Sequence, residues 1–170
     1  MLVVKSLRMS GRYGVISSCS VLSMMACGSS RPVSATAPAG PRPRIQLAVI
    51  PAESDVFPRA AREISKSLAA VRLRGVDATA VSKVSLEVVQ LSIECVDPTD
   101  TCYQAIGRSM AANRLLFARI GTGETRRQLR VTVTLYDVDA SAATRTADRT
   151  FASEDLAVDG IAALVAEATR

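Results

Sequence analysis

Few residues of this chain could do chemistry. It has no histidine, which removes the Ser-His-Asp triad, the Cys-His dyad, the HExxH zinc site and a proximal haem ligand together. Catalysis would have to come from carboxylate, Lys, Cys, Ser or Tyr. Asp137, Asp139, Ser141 and Asp148 stand at relative positions 1, 3, 5 and 12 of a calcium loop. Ala142 takes the place that demands glycine and the flanks alternate like strands, so a solvated hairpin turn is expected. Gly121 and Gly123 precede a strand pattern, which leaves no helix N-terminus to cradle a phosphate. Arg126, Arg127 and Arg130 form a basic cluster best accounted for by a solvated turn. Cys95 and Cys102 have no further metal ligand nearby and lack the CxxC spacing of a redox pair. In an oxidising compartment their spacing suits a local disulfide bracing the loop before a helix, worth ~2.5 kcal/mol by chain-entropy arithmetic; two free thiols are the alternative. No catalytic residue, metal or cofactor is expected.

The net charge of +5 over 170 residues invites a nucleic-acid reading, but it is unevenly placed. Residues 1–44 hold Lys5, Arg8, Arg12, Arg31, Arg42 and Arg44 and no acid. The remaining residues carry fifteen basic against sixteen acidic side chains, a net of −1. A folded basic face, which phosphate-driven binding needs, is not expected, and nucleic acid is disfavoured as a partner.

The first 44 residues divide in two. Residues 1–13 carry three positive charges and no negative one, and residues 14–26 are apolar or small. These are the parts of a secretory signal, and the run falls short of the ~20 residues that span a bilayer. Met24, Met25, Ala26 and Cys27 resemble a bacterial lipobox, whose cysteine receives diacylglycerol, with palmitate among the acyl chains, and becomes the new N-terminus. Cys19, after Ile16, Ser17 and Ser18, fits the lipobox letters too but leaves too short an apolar run; cleavage without lipid is the other alternative. Residues 1–26 are therefore expected as a lipoprotein signal peptide and Cys27 as the lipidated residue. Residues 27–44, with Pro32, Pro38, Pro41 and Pro43, cannot bury enough surface to offset chain entropy. They form a proline-rich tether, reaching ~50 Å if extended at ~3.1 Å per residue.

Residues 45–170 have the patterning of one folded domain. The run from Ile45 to Ile50, stopped by Pro51, predicts a buried strand. Asp55 is placed to cap a helix with Pro58 in its first turn; Phe57, Ala61, Ile64, Leu68 and Val71 make its inner face and Gly75 its stop. A second strand over residues 77–82 precedes a helix whose inward stripe is Val84, Val88, Leu91 and Cys95. Thr101 and Gln104 have capping-box spacing for a short helix with Ile106 and Met110 inward and Asn113 as a left-handed terminator. Residues 115–120 predict a strand. Leu129, Val131, Val133 and Leu135 alternate with Arg130, Thr132, Thr134 and Tyr136, a half-buried antiparallel strand. Residues 144–151 return, and Ser153 with Glu154 and Asp155 opens a last helix carrying Ile161, Leu164 and Val165. The expected fold is α/β (α+β layered): a mixed sheet with a three-stranded antiparallel meander covered by helices.

Three segments carry a family resemblance: Cys95 to Cys102 through Ile106 and Gly107, Ala111 to Gly121, and Leu129 to Asp139. They resemble envelope domains of the TolB N-terminal type, with related folds in the CsgG and LpoB lipoproteins. The resemblance covers nearly all of residues 45–168 and implies a non-enzymatic periplasmic domain used for docking. The chain has no room for the propeller of full-length TolB and lacks the long membrane-inserting hairpins of CsgG. The expected function is a lipid-anchored cell-envelope protein, at the outer membrane sooner than the inner, whose periplasmic domain binds an envelope protein as regulator or assembly factor. An oligomeric scaffold or secretion accessory is the alternative.

Mass spectrometry of the membrane-extracted protein is expected to find residues 1–26 missing and lipid mass on Cys27. An intact Met1 or an unmodified mature chain would refute the lipid anchor.

Overall fold

Leu47, Ala48, Val49 and Ile50 are all buried, so the first strand carries apolar side chains on both faces and needs cover on both. The rest of the architecture supplies that cover. The computed structural model describes residues 44–95 and 97–170; the signal segment 1–26, Cys19, Cys27 and the tether through residue 43 lie outside the described residues. Chain order is β1 (Gln46–Val49), α1 (Pro58–Ala69), β2 (Ala78–Val81), α2 (Leu86–Ser92), α3 (Asp100–Ser109), β3 (Arg114–Thr122), β4 (Leu129–Asp137), β5 (Ala142–Phe151) and α4 (Glu154–Ala168). The strands form one sheet in the order β2-β1-β3-β4-β5. β1 runs parallel to both β2 and β3, whereas β3, β4 and β5 are an antiparallel meander. The expected α/β class and its mixed sheet are those observed.

Two apolar clusters lie on opposite faces of this sheet. On one, α1 and α4 deliver Ile64, Leu68, Ile161 and Leu164 onto Leu47, Val49, Leu116, Val131 and Val133. On the other, α2 and α3 deliver Leu86, Val89 and Ile106 onto Ala48, Ile50, Leu115, Phe117 and Tyr136. Alternation along β4 predicted Leu129, Val131, Val133 and Leu135 inward, and all four are buried. Tyr136 was placed on the polar face but is fully buried, because α3 covers that end of the sheet. Its ring lies 5.5 Å from Tyr103, which in turn lies 4.8 Å from Phe117. Its hydroxyl donates to the Asp100 carbonyl at 2.8 Å, so no buried polar group is left unpaired there.

Helix ends depart most from the sequence expectations, because long-range partners take the place of local ones. Asp55 does not cap α1. The Glu154 Oε1 atom of α4 accepts from the Arg59 and Ala60 amides at 2.7 and 3.0 Å, and Asp155 pairs with the Arg59 guanidinium at 2.6 Å. A carboxylate at that end satisfies orphan N–H groups and complements the helix dipole. Gly75 does adopt φ +78°, but in the turn before β2, six residues beyond the end of α1; Val71 lies outside the helix, partly buried against the first core. The N-cap of α3 is Thr99, whose Oγ1 accepts from the Cys102 amide. Thr101 is a helical residue instead, and Gln104 Nε2 donates to the Val138 carbonyl at 3.2 Å. For the last helix the expected cap is the observed one, Ser153 Oγ accepting from the Leu156 amide.

The left-handed residue after α3 is Ala111, φ +51°, not Asn113. Asn113 joins three strands. Its amide N–H donates to the Gln46 carbonyl and its carbonyl accepts from Val138 N–H, both at 2.9 Å. Its side-chain Oδ1 accepts from the Gln46 amide at 3.1 Å and its Nδ2 donates to Asp139 at 3.0 Å.

Gly107 lets α3 approach the sheet closely: a Cβ there would overlap Val138 Cγ2 and lie 2.8 Å from its Cγ1. Gly107→Ala is expected to destabilise the domain by ~1–3 kcal/mol through overpacking. Urea denaturation should then show that Val138→Ala recovers much of this loss in the double variant, a non-additivity absent if the two residues do not touch.

Candidate docking surface

The two sheet edges differ in how they meet solvent. β5 is ten residues long and carries Arg145, Asp148 and Arg149, with a register irregularity opposite Leu135 and Tyr136. Charge and bulging are the usual means by which an edge strand is kept from pairing with another chain. Arg130 Nε lies 2.9 Å from both Asp148 carboxylate oxygens and its Nη2 2.8 Å from Oδ2, and Thr132 Oγ1 donates to Oδ1 at 2.6 Å. The hydrogen bonds from Arg130 and then Thr132 lower the Asp148 carboxyl below its ordinary range. A group shifted down contributes stability at neutral pH and loses it as the pH falls through the lowered value.

β2 has none of these protections. Ala78, Thr79, Ala80 and Val81 are all exposed, the strand bears no charge, and among the described residues β1 is its one neighbour in the sheet. The chain that follows adds apolar surface. α2 turns Leu86 and Val89 to the core, while Val84, Val88 and Leu91, at spacings of four and three, face solvent at 43%, 45% and 69% exposure. The helix was expected to bury that stripe. Four of the seven residues of α2 are apolar, and the pair that reaches the second core cluster with Ile50 and Ile106 is Leu86 and Val89, which leaves Val88 and Leu91 outside. Val81, 52% exposed, ends β2 three residues before Val84. Of the other exposed large apolar residues, Val56 precedes α1 and Leu156 lies in the first turn of α4.

The Cys95–Cys102 disulfide is formed, with a Cα–Cα distance of 5.6 Å, inside the ordinary range for a bridge. Cys102 is buried in the second core cluster and Cys95 packs against it. The bridge ties the chain leaving α2 to the first turn of α3, and Gln90 Nε2 of α2 lies 3.6 Å from Cys102 Sγ. It therefore fixes the helix that carries the exposed stripe. Glu94, just before the bridge, has φ +56°, a conformation non-glycine residues seldom adopt, and its amide bonds the Leu91 carbonyl at 3.2 Å.

The other carboxylates of the calcium-loop pattern have structural partners. Asp137 accepts from the Asp139 and Ala140 amides in the turn and pairs with Arg114 at 3.0 Å. Asp139 accepts from Asn113. Among the described residues, no three of His, Cys, Asp and Glu stand together to hold a metal ion, and no helix is long and apolar enough to cross a membrane. Burial raises the Tyr103 phenol above its ordinary range, with Arg119 opposing, which keeps it a neutral member of the aromatic cluster.

No family model matches the chain, and no curated protein does. Among solved structures it is similar to the LpoB C-terminal domain from Salmonella enterica, at 13% identity and TM-score 0.42, over 63% of this chain and 82% of that one. It is also similar to a PelC dodecamer from Paraburkholderia phytofirmans, at 18% identity and TM-score 0.38, over 75% and 90% of the two chains. A third likeness is to a hypothetical protein from Chlamydia trachomatis, at 16% identity and TM-score 0.32, over 64% and 73%. At these scores the likenesses identify no function.

Cys102→Ala is expected to cost ~2 kcal/mol and to loosen α2 and the start of α3 while the sheet stays intact. Hydrogen exchange should rise in residues 86–103 and stay unchanged in β4. A non-reducing peptide map with free thiols at both positions would refute the bridge.

Proposed function

We propose that the chain is a membrane-anchored envelope lipoprotein whose folded part binds a protein partner, as a regulator or assembly factor, and catalyses nothing. The observation that carries this reading is the uncharged, unpaired edge of β2, followed by the exposed Val84, Val88 and Leu91. The occupant it suits is an extended segment of another envelope protein. Backbone hydrogen bonds to β2 supply affinity, and apolar side chains on the α2 stripe supply selectivity. Truncating a central apolar anchor of such a surface costs more than truncating its rim. Anchoring through Cys27 and the tether of residues 27–44 adds local concentration: a module held within ~50 Å of a membrane meets partners there far more often than one in free solution. A diffusible substrate would gain little from that arrangement.

A photoreactive residue at Val81, in the native envelope, is expected to give one discrete heterologous adduct, and the same residue at Arg145 on the β5 edge none. Leu91→Glu should lower the adduct at least tenfold without changing the melting temperature by more than a few degrees, and Asp139→Asn should leave it unchanged. Deleting residues 33–43 should lower its yield with the domain still folded. An adduct containing only two copies of this chain would replace the reading with the scaffold alternative. An adduct insensitive to Leu91→Glu would overturn it.

A further inference from the structure

At the N-terminal ends of β1 and β3 lies a cavity of about 680 Å³ that includes Arg72, Arg74, Arg114 and Arg170 in its lining and no acidic residue. The four come from three distant parts of the chain, which is why their convergence is invisible in sequence. They are four of the fifteen basic residues in a domain of net charge −1, so the concentration is local. Leu73 and Val76, which pack against the first core cluster, and Leu135 of β4 give the cavity apolar walls. Its size is that of a small-molecule site.

Two of the four guanidinium groups have other partners. Arg72 Nη1 donates to the Ala69 and Val71 carbonyls at 3.1 and 2.9 Å, beyond the end of α1. Arg114 pairs with Asp137 at 3.0 Å and donates to Thr144 at 3.3 Å. Among the described residues neither Arg74 nor Arg170 pairs with a carboxylate. The nearby Asp77 accepts from the Ile45 amide at 2.7 Å. Two of the four guanidinium groups beside the apolar wall, those of Arg74 and Arg170, are thus left without a side-chain carboxylate partner among the described residues.

We propose that this cavity binds an anionic amphiphile, a phosphate group engaged by Arg74 and Arg170 with its apolar tail against Leu73, Val76 and Leu135. Guanidinium forks match the several acceptor oxygens of a phosphate, and Arg72 and Arg114 add field from positions already fixed by their own hydrogen bonds. The site lies at the opposite end of the parallel strands from α2. It is also where Arg44 and Ile45 enter the domain, and it stands whether or not the chain is lipidated.

Calorimetric titration of the full chain with dihexanoyl phosphatidylglycerol, below its micelle concentration, is expected to show one saturable, salt-sensitive site. Arg74→Gln combined with Arg170→Gln should weaken it at least tenfold with the circular dichroism and melting temperature unchanged. Flotation with phosphatidylglycerol vesicles identifies the source of the phosphate. Capture by vesicles means a bilayer lipid, and binding of the soluble lipid alone means a monomeric amphiphile; both fit the assignment. No saturable binding, equal binding of dihexanoyl phosphatidylcholine, equally tight binding of inorganic phosphate, or full affinity in the double variant would each overturn it.

Discussion

The sheet changes from parallel to antiparallel at β3, and the position of every other element follows from that strand having two kinds of neighbour. β3 pairs with β1 through Leu47, Ala48 and Val49, and with β4 along all nine of its residues. Slipping either register by one residue would exchange the faces carrying Leu115 and Leu116, which serve different cores. Asn113 holds both registers at the point where β3 begins, with backbone and side-chain bonds to β1, a bond to the end of β4 and one to the turn beyond. A residue of the same size without an amide would leave the Gln46 N–H without its side-chain acceptor.

From that frame the two halves of the sheet acquire different characters. The meander side ends in a long, charged strand whose Asp148 is tied to β4. The parallel side ends in four exposed, uncharged residues that no second strand pairs among the described residues. The disulfide belongs to the parallel side as well, since it holds α2 against the core through Cys102 while leaving Leu91 outside. Rigidity beneath an exposed apolar stripe lowers the entropy lost when such a stripe is covered, and bridge, helix and strand edge lie together on the parallel side of the sheet.

Much of this was legible in the sequence because it rests on local pattern. The period-two alternation of β4, the Ser153 cap with its acidic first turn, and the order of all nine elements are properties of short windows. What escaped depends on contacts between windows. Val84, Val88 and Leu91 have the same spacing as a core stripe, but Val84 lies before α2 and the helix turns Leu86 and Val89, not Val88 and Leu91, toward Ile50 and Ile106. Tyr136 alternates as a surface residue and is buried because α3 lies above it. Asn113 carried the signature of a helix terminator and serves as a junction. The four arginines of the cavity are 2 to 56 residues apart along the chain between neighbours in sequence, so no window could join them.

The cap on α1 has a consequence for the order in which the chain can mature. The acceptor for the Arg59 and Ala60 amides is 94 to 95 residues further on, in α4. Until α4 arrives, α1 has a frayed first turn and Ile64 and Leu68 lack Ile161 and Leu164 above them. The first core is therefore incomplete until Ile161, Leu164 and Val165 are in place. Contacts of such long sequence separation fold slowly because loop closure precedes any gain. The first core thus joins residues near the start of the domain to residues of α4 and closes only when both are present.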